Sequence, residues 1–186
     1  VDVIAPFLPS VSLDPLNILA LGDSILLTPG LNLPQNNIAS WEWSPATGLS
    51  CADCPEPSAR PTTNSSYTLT IRDLNGCIAE ARTQLRVNTN RVLYPPNVLS
   101  PKGDGKNDFF NLFGKGVQDV RWLRVYDRWG SQLYEVEHLP INDEMQGWNG
   151  IFKGQPVNPG VFVWQAMVTF IDGVSEIFSG DVTVSR

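Results

Sequence analysis

Histidine is almost missing from this chain. His138 is the single one among 186 residues, and no Ser or Cys stands in a recognisable nucleophile setting with it. Nucleophilic catalysis by a Ser–His or Cys–His pair is therefore not expected. Basic residues are in deficit, with 13 Lys and Arg against 19 Asp and Glu, a net charge of −6 and an isoelectric point near 4.7. Nucleic acid is a poor partner for such a chain, because binding it depends on clustered Lys and Arg. No apolar run approaches the roughly 18 residues of a membrane helix. The longest, around Gly160 to Phe170, suits a buried strand. No segment keeps a helical period with caps at both ends. The three cysteines are too few for a disulfide scaffold. The first residues lack a basic start, an apolar core and a small-residue cleavage site, and Val1 is not an initiator Met. An excised fragment or a mature form is expected.

What is present points to strands and turns. Hydrophobic residues make up 42 %, enough for a packed core, and 15 Gly and 15 Pro are spread along the chain. The apolar runs are rich in Val, Ile, Thr, Tyr, Phe and Trp, which suit a pleated, half-buried surface. A first segment reads as strands from about Val3 to Val87. Two apolar runs flank a turn at Gly22-Asp23. Ile38 to Trp43 alternates, with Trp41 and Trp43 on one face. Tyr67, Leu69 and Ile71 alternate with Thr68, Thr70 and Arg72, and Asn75-Gly76 follows as a hairpin turn. The polar stretch Asn88 to Arg91 breaks the pattern, so the domains are expected at 1–88 and 89–186. The first holds eight acids and four Arg, for −4; the second holds eleven acids and nine Lys or Arg, for −2.

The second segment is again strands: Trp122 to Tyr126, Leu133 to Val136, Val161 to Ile171, and a closing strand through Val184. Turns at Gly130, Lys153-Gly154 and Asp172-Gly173 punctuate them. The expected fold is all-β, two tandem immunoglobulin-like β-sandwich domains.

Particular residues carry a resemblance to two modules of Bacteroidota surface proteins. Leu21-Gly22-Asp23-Ser24-Ile25, Trp43-Ser44-Pro45-Ala46-Thr47-Gly48-Leu49, Cys51-Ala52-Asp53-Cys54-Pro55 and Asp73-Leu74-Asn75-Gly76-Cys77 resemble a PKD-like or immunoglobulin-like repeat. Pro96-Asn97-Val98-Leu99-Ser100-Pro101, running into Gly103-Asp104-Gly105-Lys106-Asn107-Asp108, begins a second resemblance. Val125 to Gly130, Gly147-Trp148-Asn149-Gly150, Asn158 to Trp164 and Gly180 to Arg186 continue it in order. Together these are similar to the gliding-motility-associated C-terminal domain, the type B sorting domain of the type IX secretion system.

The resemblance implies a non-catalytic export signal that directs a larger cargo through the periplasm to the cell surface or medium. Its partners would be an outer-membrane translocon and shuttle or PorP/SprF-type proteins, with the domain a monomer and the first segment a spacer. The recognition residues would be Gly180, Asp181, Val182, Thr183, Val184, Ser185 and Arg186, acting by strand addition at an exposed edge or at the terminal strand. The alternative is an adhesive or carbohydrate-binding surface module, which predicts exposed coplanar aromatics.

Several motifs compete with plainer explanations. Asp104, Asn107 and Asp108 resemble a Ca2+ loop, but the ion takes about six to eight oxygens, and Lys102 and Lys106 crowd it with positive charge. A turn capped by Asp and Asn is favoured. Cys51 and Cys54 form a C-x-x-C that could be a redox pair, half a zinc site or a disulfide. No βαβ context supports the first, and the other soft ligands, Cys77 and His138, are too few for the second. For an exported protein, a disulfide is implied. Cys77 is then expected as a free, half-buried thiol, because Ala20 holds the place where related repeats carry its partner. Pairing of Cys77 with Cys51 or Cys54 stays open. Most of the six tryptophans are expected in the core. Asp143 and Glu144 are adjacent in a polar loop rather than facing across a cleft. Asp23-Ser24-Ile25 resembles an O-glycosylation signal, and Asn64-Ser65-Ser66 matches a sequon by composition only.

Overall fold

A computed structural model describes residues 8–185. The expected first strand residue, Val3, and the terminal Arg186 lie outside them. Strands dominate, and the one helical element among the described residues is a single turn at Gln35–Asn37. The chain divides into two compact units between Asn90 and Arg91.

Unit 1 contains β1 (Val11–Ser12), β2 (Leu16–Ala20), β3 (Ile25–Leu26), β4 (Gly30–Leu31), β5 (Ile38–Ser44), β6 (Ser58–Ala59), β7 (Ser65–Asp73) and β8 (Ile78–Asn88). Its main sheet runs β2-β8-β7-β5, and the pairs β1-β4 and β3-β6 stand apart from it. The alternation along β7 is what the period of a strand requires: Tyr67, Leu69 and Ile71 are fully buried while Ser66 and Arg72 face solvent. They join Leu27, Trp43, Ala59 and Leu85 in one core, against which Val11, Ile25 and Leu31 from the short strands pack. The buried polar ends are satisfied. Tyr67 Oη donates to Thr47 O at 2.8 Å, and burial raises its pKa above the usual phenol value. Asp73 accepts the N–H groups of Asn75 and Cys77 at 2.9 and 2.7 Å, closing the turn between β7 and β8.

Unit 2 contains β9 (Val98–Leu99), β10 (Val117–Tyr126), β11 (Gln132–Leu139), β12 (Ile151–Phe152), β13 (Gln155–Pro156), β14 (Gly160–Phe170) and β15 (Ser175–Val184). Five of them form a sheet in the order β11-β10-β14-β15-β9, antiparallel except for the last pair. The inner face presents Val120, Leu123, Val125, Phe162, Trp164, Ala166, Val168, Phe170, Val182 and Val184.

The layer covering that face is mostly loop. Phe110, Leu112 and Trp148 come from irregular segments and are fully buried. Phe110 and Trp148 exchange backbone hydrogen bonds at 2.7 and 3.0 Å. Their rings then meet Trp164 and Phe162 at centroid distances of 5.8 and 5.1 Å. Gly147 lies so close to the Phe110 carbonyl that any side chain would clash, and its φ of +117° is open only to glycine. The β12-β13 hairpin turns at Lys153 and Gly154, both at positive φ (49° and 78°), the geometry a two-residue hairpin favours. Arg91 opens the unit, ion-paired with Asp172 and with Glu176, its guanidinium 5.6 Å from the Phe170 ring centre.

Candidate partner-recognition site

β15 is covered along its whole length on one side and only near its end on the other. β14 and β15 pair one to one from Gly160↔Val184 to Thr169↔Ser175 without a register shift. The hairpin bond from Phe170 N to Val174 O puts the even-numbered residues of β15 in hydrogen bonds with β14. The odd-numbered residues then aim their N–H and C=O groups away from β14. Near the end of the strand that side is taken. Thr183 N donates to Asn97 O and Ser185 N to Leu99 O, both at 2.9 Å, so β9 lies parallel along Thr183 and Val184.

Most of the expected recognition segment, Gly180 to Arg186, is turned inward or paired among the described residues. Val182 and Val184 are 0 % and 1 % exposed and belong to the core, and β9 closes the edge at Thr183 and Ser185. Gly180 faces inward: a Cβ there would sit 3.0 Å from the Trp164 indole. Of the segment from Gly180 to Arg186, Asp181 alone is exposed among the described residues. The open edge lies upstream. Ser175, Ile177, Ser179 and Asp181 are exposed, and no strand among the described residues pairs with their outer side. The opposite edge, β11, is blunter. It carries Glu135 and Glu137, and His138, one residue before its end, has a φ of +52° that interrupts the extended backbone.

The loop at residues 103–108 is organised around one carboxylate. Asp108 Oδ1 accepts the N–H groups of Lys102 and Gly103 at 2.8 and 2.7 Å, and Oδ2 accepts that of Gly105 at 2.7 Å. The bond from Gly103, then that from Gly105, holds the Asp108 pKa below its ordinary value. Asp104 accepts the N–H of Lys106 at 3.0 Å, and Asn107 takes positive φ. These oxygens are turned onto backbone donors, which suits a capped turn better than a cation needing about six to eight oxygens. No group of three or more His, Cys, Asp or Glu is gathered for a metal among the described residues.

Cys51 and Cys54 are joined by a disulfide, with their Cα atoms 5.9 Å apart. The loop they close receives the tryptophan of β5: Trp43 N donates to Ala52 O at 2.8 Å and Trp43 Nε1 to Cys54 O at 2.9 Å. Cys77 is a free, half-buried thiol. Ala20 does not stand opposite this thiol, contrary to expectation: it pairs with Asn88, at the far end of β8 from Cys77.

Residues with chemical potential elsewhere are dispersed. His138 is mostly exposed and meets the Asp119 carboxylate at 3.1 Å. Asp143 caps its own turn through the N–H of Met145. Asn64 accepts the N–H of Val87 at 2.8 Å. Trp43, Trp148 and Trp164 are buried, and Trp41 and Trp122 are half-buried. Trp129 departs from the expected core placement at 81 % exposure. It sits in a turn, where no strand period reports on burial. Its motif, Asp127-Arg128-Trp129-Gly130, was the only signal available for it in the sequence.

Residues 93–184 match the family model of the CHU_C type IX secretion signal domain. No curated protein matches the chain. Among solved structures it is similar to the eight N-terminal Ig domains of Down Syndrome Cell Adhesion Molecule. That match has 9 % identity over 96 % of this chain and 24 % of the other, with a TM-score of 0.41. It is also similar to dimeric latent PorU from Porphyromonas gingivalis, with 12 % identity over 91 % of this chain and 19 % of the other and a TM-score of 0.35. A third is the Bacteroides ovatus mixed-linkage glucan utilization locus protein SGBP-B in complex with a heptasaccharide. There the identity is 13 % over 92 % of this chain and 43 % of the other, with a TM-score of 0.34. The chain spans less than half the length of each of these structures, and likenesses this distant carry no functional argument.

Proposed function

Residues 93–184 belong to the type IX secretion signal domain family, and from that premise we infer that the chain is the sorting portion of a larger exported protein. The family match carries this reading. Unit 2 is the export signal, and its cargo reaches the cell surface or the medium. Unit 1 is a spacer that keeps cargo clear of the signal. The exposed Ser66, Arg72, Glu80, Arg82, Gln84 and Arg86 on the outer face of β7 and β8 support that role, since a linking module needs a solvated surface. Signal domains of this kind are typically non-catalytic. No helix among the described residues is long and apolar enough to cross a membrane.

The partners are the outer-membrane translocon and shuttle or PorP/SprF-type proteins. They meet the folded domain at the open edge of β15, where Ser175, Ile177, Ser179 and Asp181 can accept an added strand. A secretion assay tests both levels. Residues 89–186 and residues 1–186 are each fused behind a periplasmically exported fluorescent protein in a host with a working type IX system. Export of both fusions, lost in a translocon mutant, is the expected outcome. Retention of both in the periplasm would refute the sorting role, and export of the longer alone would make unit 1 part of the signal. Ser179→Pro tests the edge, because its N–H points away from β14 and proline is tolerated at such a position. A folded Ser179→Pro fusion that is exported normally would remove β15 as the docking edge.

A further inference from the structure

The tip between β10 and β11 is a backbone-braced turn that carries a tryptophan exposed to water. Asp127 Oδ1 accepts the N–H groups of Trp129 and Ser131 at 2.8 and 2.9 Å, and Asp127 N donates to Ser131 O at 3.0 Å. The bonds from Ser131 and Trp129 hold the carboxylate below its ordinary pKa, so the brace stays ionised. Gly130 supplies the positive φ of 83° that the turn needs. The indole is 81 % exposed, although the other five tryptophans of the chain are buried or half-buried. The ring adds nothing to the core, and together with Leu133 and Val161 it puts apolar surface along one rim of a cleft.

The ring borders a surface cleft of about 300 Å³ whose walls include Asp127, Arg128, Leu133, Asn158 and Val161. The Arg128 guanidinium lies 5.4 Å from the ring centre. Neither its N–H groups nor the Asn158 amide is committed to a hydrogen bond among the described residues, whereas the Asp127 carboxylate is engaged by the backbone and side chain of Ser131. One acid and one base balance, so the cleft has no net charge for an ionic ligand to complement. Leu133 and Val161 add apolar surface beside the indole.

We propose that this cleft is a binding site for a neutral glycan, with the C–H face of one pyranose stacked on Trp129. Its hydroxyls are then met by the Arg128 guanidinium and the Asn158 amide. The combination of a flat apolar platform with uncommitted donors and acceptors at its rim matches a sugar ring, which is apolar on its faces and hydroxylated at its edge. The volume lies at the small end of ligand sites, roughly 300–1,000 Å³, and fits one or two sugar units of a longer chain. A protein hot spot built on Trp129 would favour a drier rim. The proposal goes beyond the sorting role and does not rest on it.

Affinity electrophoresis of the whole chain tests it, with laminarin, xyloglucan, galactomannan and dextran as neutral probes and polygalacturonate as an acidic one. At least one neutral probe should retard the protein while polygalacturonate does not. Calorimetry with that probe should show Trp129→Ala weakening binding at least about tenfold and Asn158→Ala severalfold. Both variants should keep the parent's unfolding midpoint. Absence of retardation by all four neutral probes overturns the proposal, as does retention of full affinity in Trp129→Ala. Loss of fusion export in Trp129→Ala, with no glycan bound by the parent, assigns the indole to a protein partner instead and overturns it equally.

Discussion

The two units solve the same problem by different means. Each lays a sheet against a second layer, but unit 1 builds that layer from short strands and unit 2 builds it from loops. In unit 1 the short strands frame a modest core around Trp43, Tyr67 and Leu69, and a disulfide closes the loop that receives both N–H groups of Trp43. Unit 2 has no cysteine at all. Its loops are held because their own aromatics, Phe110 and Trp148, are core residues packed on Trp164 and Phe162. Irregular backbone can serve as a core layer when large rings enter the core from it. A loop that contributes only carbonyls is secured covalently.

The largest test of that contrast is Trp148→Ala. Emptying a fully buried indole position should cost about 3–5 kcal/mol in the unfolding transition of unit 2, measured by urea titration. A cost below about 1 kcal/mol would mean that the loop layer is dispensable. Gly180→Ala comes next. Its new methyl must displace the Trp164 indole, and overpacking of this kind costs about 1–3 kcal/mol. Calorimetric unfolding unchanged from the parent would show that the indole has room to move. In unit 1, Cys51→Ser with Cys54→Ser should cost about 2 kcal/mol, because the closed loop is short. It should also make Trp43 fluorescence more sensitive to quenching by iodide, since the loop that receives its N–H groups is released. An unaltered spectrum and midpoint would mean that the hydrogen bonds alone hold the loop.

The smallest effect concerns the turn at Asp108, which has no cross-link and little burial to support it. Its native pKa is depressed, so its stabilisation is complete above the ordinary carboxylate value of about 3.9. That stabilisation is lost as pH falls through the lower native value. Asp108→Asn should therefore be less stable than the parent at neutral pH and converge with it in acid. A difference that persists unchanged at the acid end would assign the effect to shape rather than charge.

Local pattern carried much of this fold into view. The alternation of Tyr67, Leu69 and Ile71, the turn at Asn75-Gly76 and the run from Gly160 to Phe170 each follow from side-chain period and turn chemistry. What stayed hidden was long-range. β9 is two residues long, too short to show a period, and only the folded sheet brings it beside Thr183 and Val184. That pairing covers the end of β15 and leaves the outer side of Ser175–Asp181 without a paired strand among the described residues. The parallel pairing of β2 with β8 is equally invisible in the sequence, and it carries Ala20 away from Cys77. Asp108 reads as a loop residue from its Gly, Asp and Asn neighbours alone. That its oxygens turn onto the N–H groups of Lys102, Gly103 and Gly105 depends on loop geometry that composition does not encode.

β15 is flanked by β14 along its whole length and by β9 only at its end. Its partner β9 is made early and β15 itself is made last within the unit. A ribosome that has reached only residue 174 has produced every other strand of the sheet and none of this one. Phe162 and Trp164 at that moment lack the neighbours that cover them. The sheet closes only when residues through Val184 have been synthesised, so a partner that recognises the closed sheet is also counting to the last strand, and a prematurely terminated chain fails the count.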